Sequence, residues 1–281
     1  MGTAQFGLDY GINNNLGKVE FGQVRRILDY AKKSGIDTLD TASGYGDSER
    51  VIGDYLQSSD NRFKIITKFS GDLKLSFEKS LANLRVKSIY GCLFHSYNDY
   101  KSNPKMLDEL IKLKNKNLIK KIGFSLYYPS ELEELIDKGV DLDLIQIPYS
   151  IFDRRFEGVL LEAKNRQIEV HARSIFLQGL IFKDPDLLDE FFGPVKSQIK
   201  KIRNISRESS LSVSAIALGY VYLNKNIDKL VIGIDNLDNL KENVDDLANS
   251  NLAEVSLLLP ELNQIKITKE EMLLPFKWKT K

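Results

Sequence analysis

The amino-acid sequence predicts an α/β fold, a closed (β/α)8 TIM barrel built as a single domain over residues 1–281. Three observations carry that prediction. From residue 36 onward, short β-branched apolar runs alternate with longer stretches of helical period, which implies repeated crossovers and a parallel sheet. The runs are near-continuously apolar, as strands covered on both faces are. No Pro/Gly/Ser-rich linker, low-complexity tract or repeat divides the 281 residues, and barrels of this kind often reach such a length undivided.

The expected strands lie at about 36–40, 64–68, 89–95, 120–125, 143–148, 167–172 and 229–233. Before the first of them, Phe21, Val24, Ile27, Leu28 and Ala31 form an apolar helical stripe that ends in Lys32, Lys33 and Gly35. Similar stripes run through 51–56, 77–84, 106–111 and 132–136. Further helices are expected near 156–166, near 196–208, over 213–223 behind a capping Ser212, and over 237–247. A closed barrel needs an eighth strand. The only room for it is residues 1–6, a short and weakly apolar run, and an open doubly wound sheet is the alternative. The longest irregular region, 173–195, is expected to be functional, as long loops in compact domains usually are.

Lys and Arg number 40 against 39 Asp and Glu, a formal net charge of +1. That balance gives no electrostatic reason to expect nucleic acid or an anionic membrane as partner. The single cysteine, Cys92, excludes an intrachain disulfide and fits a reducing compartment. No apolar run approaches the roughly 18 residues of a membrane span, and the first residues lack the pattern of a secretory signal. A cytoplasmic protein is expected. One cysteine and two histidines offer no cluster at metal-ligand spacing. Nothing in the composition sets an oligomeric state.

In such barrels the chemistry sits where strands run out into the loops before helices. Those ends carry Asp40, Lys68, His95, Ser125 and Gln146, then His171 and Arg173, and finally Gly233. Lys and Asp are rarely buried unless paired, so Asp40 and Lys68 are expected to pair. Tyr45 can reach back over the same rim from its loop. Each residue has an ordinary role open to it: a turn cap for Asp40, packing for Tyr45, solvent for Lys68, a structural hydrogen bond for His95. Together they would have to crowd one mouth of the barrel by chance. The loop GYGDSE resembles the start of a dinucleotide fingerprint, but Glu49 stands where that motif needs Gly or Ala. The plainer reading has Gly44 and Gly46 shaping a tight loop and Asp47 capping the next helix.

At these residues the chain resembles the aldo-keto reductase superfamily. Asp40-Thr41-Ala42-x-x-Tyr45-Gly46-x-Ser48-Glu49 is similar to its first signature, and Ile66-Thr67-Lys68 and Leu93-Phe94-His95-Ser96 to its lysine and histidine strands. Gly123-x-Ser125, Gln146-x-x-Tyr149 and Glu242-Asn243 follow in order, so the likeness runs from residue 2 to about 247. It implies NAD(P)H-dependent reduction of a small-molecule aldehyde or ketone. Tyr45 would be the general acid, Lys68 held by Asp40 would stabilise the tyrosinate, and His95 would orient the substrate oxygen.

For the cofactor, Gly2, Thr3 and Asp40 would line the floor of its site, and Ser125 and Gln146 would hold the carboxamide. Ser174, Leu177 and Gly179 would cover the pyrophosphate. Ile232, Gly233, Ile234 and Asn236, with Glu242 and Asn243, would take the adenosine end. Arg173 stands where an aromatic ring commonly stacks on the nicotinamide; a rim salt bridge is its other reading. Leu126 replaces a common Asn. The family favours NADP(H), but Gly233 and Asn239 stand where NADP-binding members often carry Lys and Arg, which leaves NAD(H) open. Lys241 is the only basic residue in that segment. The stretch RSIFLQGLIF is similar to bacterial members linked with sugar metabolism, so a sugar-type carbonyl is one expectation. Two other readings stand beside the reductase: an aldolase using Lys68 as Schiff-base nucleophile, and a cofactor-binding sensor with little turnover.

Overall fold

A computed structural model describes residues 1–14 and 16–278. Seven parallel strands follow one another around the molecule in chain order. They are β1 (Thr38–Asp40), β2 (Lys64–Phe69), β3 (Ile89–Phe94), β4 (Ile119–Ser125), β5 (Leu144–Pro148), β6 (Glu169–Arg173) and β7 (Lys229–Leu230). The helices that cover them are α1 (Phe21–Lys33), α2 (Ser48–Gln57), α3 (Leu73–Leu84), α4 (Tyr97–Ser102), α5 (Met106–Asn115) and α6 (Pro129–Asp137). After these come α7 (Glu157–Asn165), α8 (Gly193–Ser209), α9 (Val213–Tyr222), α10 (Leu237–Asp246), α11 (Asn249–Leu262) and α12 (Glu270–Leu273).

The ring closes through one residue. Gly2 forms parallel bridges to Asp40 at the end of β1 and to Gly233 beyond β7. Its N–H donates to the Ile232 carbonyl at 2.8 Å, and the Thr3 N–H donates to that of Asp40 at 3.0 Å. The strand expected over residues 1–6 is therefore a single bridging residue, and Ala4–Phe6 turn away as a 3-10 helix. Glycine permits the closure. A Cβ on Gly2 would stand 3.3 Å from the Gly233 nitrogen, and one on Gly233 would stand 2.5 Å from the Gln5 amide. The last strand is shorter than the expected 229–233 because its end turns to this bridge. Strand β6 begins at Glu169 rather than 167 because Gln167 adopts φ 60° in the turn before it.

The expected helices all form, and three more appear. Helix α4 has no counterpart among the expected helices; it follows β3 directly, and its Ser96 and Asp99 cap each other. Helices α11 and α12 lie beyond the last expected element. The sequence of α11 carries Pro260 and no clean apolar stripe, so periodicity does not reveal it. It packs across Gly219 of α9, where a Cβ would stand 3.0 Å from Val255. Asp47 precedes α2 without capping it; its carboxylate pairs with Lys18 and Arg50 instead.

Side chains two apart on a strand share a face. Ile66, Leu93 and Leu144 form a small apolar layer of their own, with Tyr90 packed against it. Two residues further along the same strands stand Lys68, His95 and Gln146. This alternation puts the polar set one layer above an apolar plug, at the C-terminal mouth.

Candidate active site

A cavity of about 490 Å³ opens at that mouth and brings Asp40, Tyr45, Lys68 and His95 onto one wall. The ammonium of Lys68 donates to Asp40 Oδ2 at 2.7 Å and to the Thr41 carbonyl at 3.0 Å, with only 1% of the residue exposed. Burial alone would lower the Lys68 pKa. Asp40 and Tyr45 together raise it by more, and the net direction is upward. An amine held in its charged form is a poor Schiff-base nucleophile, so the geometry speaks against the aldolase reading. Asp40 receives a second hydrogen bond on Oδ1, from Gln146 Nε2 at 2.7 Å. The carboxylate is thus fixed from two strands.

Tyr45 is placed by its loop. Gly46 turns at φ 53°, and the backbone packs so closely that a Cβ on Gly7 would stand 1.9 Å from the Tyr45 carbonyl. Behind the loop, the buried Glu49 accepts from Thr67 Oγ1 at 2.7 Å and ties α2 to β2. The Glu that departs from a dinucleotide fingerprint is therefore a brace. Lys68 Nζ lies 5.1 Å from the Tyr45 ring centroid, and the His95 ring stands edge-on to it at 5.9 Å. Burial, then the charge of Lys68, lowers the His95 pKa to about 4. A neutral imidazole keeps one N–H donor and one acceptor.

Of the residues expected around a cofactor, Gly2, Thr3, Ser125, Gln146, Arg173 and Ser174 line this cavity, as do Gly179, Ile232, Gly233, Glu242 and Asn243. Leu177, Ile234 and Asn236 do not. Leu177 and Ile234 are buried in the core, and Asn236 caps α10 by accepting from the Asn239 N–H at 2.8 Å. Lys241 also points elsewhere, to Asp238 at 3.1 Å. His171 lies two residues below the rim and contacts Glu169. The lining further includes Tyr10, Asn13, Tyr127, Gln178 and Asp235, which sequence reasoning missed. Tyr10 accepts a hydrogen bond from Gln178, 168 residues away, and no local pattern announces such a pair. The residues present fit a nicotinamide dinucleotide. Gln146 commits its amide N–H to Asp40 and leaves its carbonyl for a carboxamide, while Gly179 (φ 87°) and Gly233 let the lining side chains of Asn13 and Gln5 pack close, where a Cβ would stand 2.5 Å from each.

Fold and site together define a barrel oxidoreductase. The family model for the aldo/keto reductase family matches residues 1–256, and the chain belongs to that family. It is 25% identical to an uncharacterized oxidoreductase, YqkF, of Bacillus subtilis over 247 residues, which cover 78% of this chain and 80% of that one. The aldo-keto reductase AKR11C1 of Bacillus halodurans, in its holo form, superposes with a TM-score of 0.70 at 21% identity, covering 92% of this chain and 90% of that one. The glycerol dehydrogenase AKR11B4 of Gluconobacter oxydans gives 0.71 at 22% identity, covering 93% and 90%. These structures show the shared barrel. No helix among the described residues is long and apolar enough to cross a membrane.

Proposed function

We propose that the protein reduces a small aldehyde or ketone to the alcohol, with Tyr45 as the proton donor. The observation that carries this reading is the convergence of Tyr45, the Lys68–Asp40 pair and neutral His95 on one cavity wall. Bound nicotinamide cofactor supplies the hydride. His95 donates a hydrogen bond to the carbonyl oxygen and fixes its direction. Tyr45 gives its proton to that oxygen as charge develops there, and the adjacent Lys68 ammonium stabilises the tyrosinate left behind. Asp40 keeps Lys68 charged and in place. Ser125 and Gln146 would hold the cofactor's carboxamide, and Ser174 and Gly179 would lie along its pyrophosphate.

For the cofactor's ribose end, the cavity wall offers Asp235, Asn239 and Glu242 from the segment after β7, and no cation from that segment. A 2′-phosphate is normally met by Lys or Arg. We therefore propose that NADH serves at least as well as NADPH. The test is single-turnover oxidation of each reduced cofactor by a reactive aldehyde, in the native protein and in Tyr45→Phe. Rapid oxidation lost in the variant supports the assignment; equal rates in the two proteins would remove Tyr45 from it.

A further inference from the structure

Arg173 ends β6 and carries a charge that no carboxylate among the described residues pairs with. Its guanidinium reaches across the end of β5 to the loop after β4. There Nη2 donates to the Leu126 carbonyl at 3.0 Å, and the group stacks over the Tyr127 ring with Cζ 4.3 Å from the centroid. Nη1 donates to Ser174 Oγ at 3.3 Å. The Nε atom is buried without a hydrogen-bond partner among the described residues. No carboxylate among those residues pairs with Arg173, so the rim salt bridge that the sequence allowed is not formed. Lys68, in the same cavity, is matched by Asp40 at 2.7 Å.

A guanidinium cannot shed its proton to relieve burial. The charges at the catalytic end then add simply. Lys68 and Asp40 cancel and His95 is neutral, so Arg173 is the cation beside them that no carboxylate among the described residues pairs with. Asp235 and Glu242 line the same cavity from the segment after β7, and Asp99 also acts on His95. Its field reaches the reacting groups, since it is among the influences that depress His95 and it acts on Tyr10 as well. Leu126, Tyr127 and Ser174 hold the planar fork in one orientation. That leaves N–H donors free for a bidentate acceptor at little further entropic cost.

We propose that Arg173 binds an anionic group carried by the substrate, so that the preferred substrates are small carbonyl compounds bearing a carboxylate or a phosphate. This rests on the reductase reading of the same cavity. An aldose phosphate and a semialdehyde acid share the required chemistry, a planar or tetrahedral oxyanion opposite a fixed guanidinium.

Matched pairs of substrates test it: succinic semialdehyde against its methyl ester, and glyceraldehyde 3-phosphate against glyceraldehyde. The native protein is expected to prefer the charged member of at least one pair by tenfold or more in kcat/KM, and the pair that responds says whether carboxylate or phosphate is the natural group. Arg173→Gln should erase that preference mainly through KM, lowering kcat/KM for the charged member at least tenfold relative to the neutral member of the same pair. Arg173→Lys, which keeps the charge without the fork, should retain part of the preference and controls for misfolding. Calorimetric titration with succinate and inorganic phosphate gives a readout without turnover, and at least one should bind the native protein and not Arg173→Gln. Equal kcat/KM within both pairs overturns the proposal. So does an Arg173→Gln variant that weakens the cofactor more than tenfold, which would assign the cation to the cofactor. Arg173-dependent anion binding without turnover of any aldehyde would overturn the reductase reading alone.

Discussion

Strand β2 carries a lysine near each end, and the two meet different surroundings. Lys64, at the N-terminal end, pairs with Asp37 at 2.7 Å while half exposed, and Lys229 adds a second cation to the same carboxylate at 3.2 Å. Lys68, four residues on, is sealed against Asp40 under a cavity. The two histidines divide the same way. His171 faces Glu169 at 2.7 Å, and Glu169 also binds Lys121 and the Tyr90 hydroxyl. His95 has no carboxylate partner among the described residues and lines the cavity. At the lower end the carboxylates are saturated by neighbours: Glu169, despite its burial, is held below the usual carboxylate range by His171, Lys121 and Tyr90, and Asp37 is held low chiefly by Lys64. A wide depression of about 800 Å³ opens at that rim, but two of its lysines, Lys64 and Lys114, are already paired. The upper end keeps donors and charge in reserve. Charged residues at strand ends are therefore a poor guide to function until it is known which of them are neutralised by protein.

The largest expected effects break this comparison through activity. Tyr45→Phe should lower kcat by 10²–10⁴, the usual contribution of general acid catalysis, and Lys68→Met should do at least as much. At the opposite end, Glu169→Gln disturbs a cluster just as charged and should change kcat by less than about threefold. A comparable loss in Glu169→Gln would show that the lower cluster takes part in the reaction.

Stability sharpens the same contrast. Removing one partner of a buried pair typically costs about 3–5 kcal/mol because it leaves an uncompensated charge. Lys68→Met should therefore melt well below Lys68→Met/Asp40→Asn, in which the remaining carboxylate is gone. Lys64→Met removes a half-exposed pair and should cost less than about 1 kcal/mol. Equal melting temperatures for the Lys68 single and double variants would mean that Asp40 is not strained by losing its partner.

The difference between the histidines is readable in pH. Burial holds His95 near 4 in the folded chain, against about 6.5 unfolded. The unfolded state then binds more protons between those values, so this contribution is complete above pH 6.5 and lost as pH falls toward 4. His95→Gln should flatten the fall in stability across that window by something on the order of 2 kcal/mol, measured by urea unfolding at pH 7 and 4.5. An unchanged slope would place the His95 titration elsewhere.

Most of the barrel was legible because its strands are buried on both faces and its helices on one, and both patterns survive in sequence. Asp40, Lys68 and His95 were legible for a related reason, since each stands two residues beyond an apolar position or at a strand's last place. What sequence could not give depends on contacts between distant segments. Gly2 closes the ring by touching Gly233, and a single bridging residue has no periodicity to detect. Leu177 reads as a loop residue near a glycine, yet its backbone (φ 48°) turns the side chain into the core. Lys241 reads as a candidate phosphate ligand until the turn of α10 shows it beside Asp238. Helix α11 hides because Pro260 and a diffuse apolar distribution mask it, and its partner glycine in α9 carries the only trace of its approach.

The smallest expected effect concerns the cofactor and rests on that segment after β7. Asp235 lines the cavity, and its Oδ1 accepts from Asn239 Nδ2 at 2.6 Å and Asn236 Nδ2 at 3.2 Å. Both amides hold the carboxylate in place without cancelling its charge. A 2′-phosphate brought near it meets like charge, and with screening by solvent the penalty should be about 1 kcal/mol, or roughly fivefold in affinity. Asp235→Asn is therefore expected to shift the NADPH-to-NADH affinity ratio toward NADPH by about that factor, more at low salt than at high. Lys241→Ala should leave the ratio unchanged, because Asp238 already holds that ammonium on the outer face of α10. Fluorescence titration of both cofactors in the three proteins measures all of this. A native preference for NADPH above a hundredfold, indifferent to Asp235→Asn, would mean that the phosphate is met by a cation from another part of the chain.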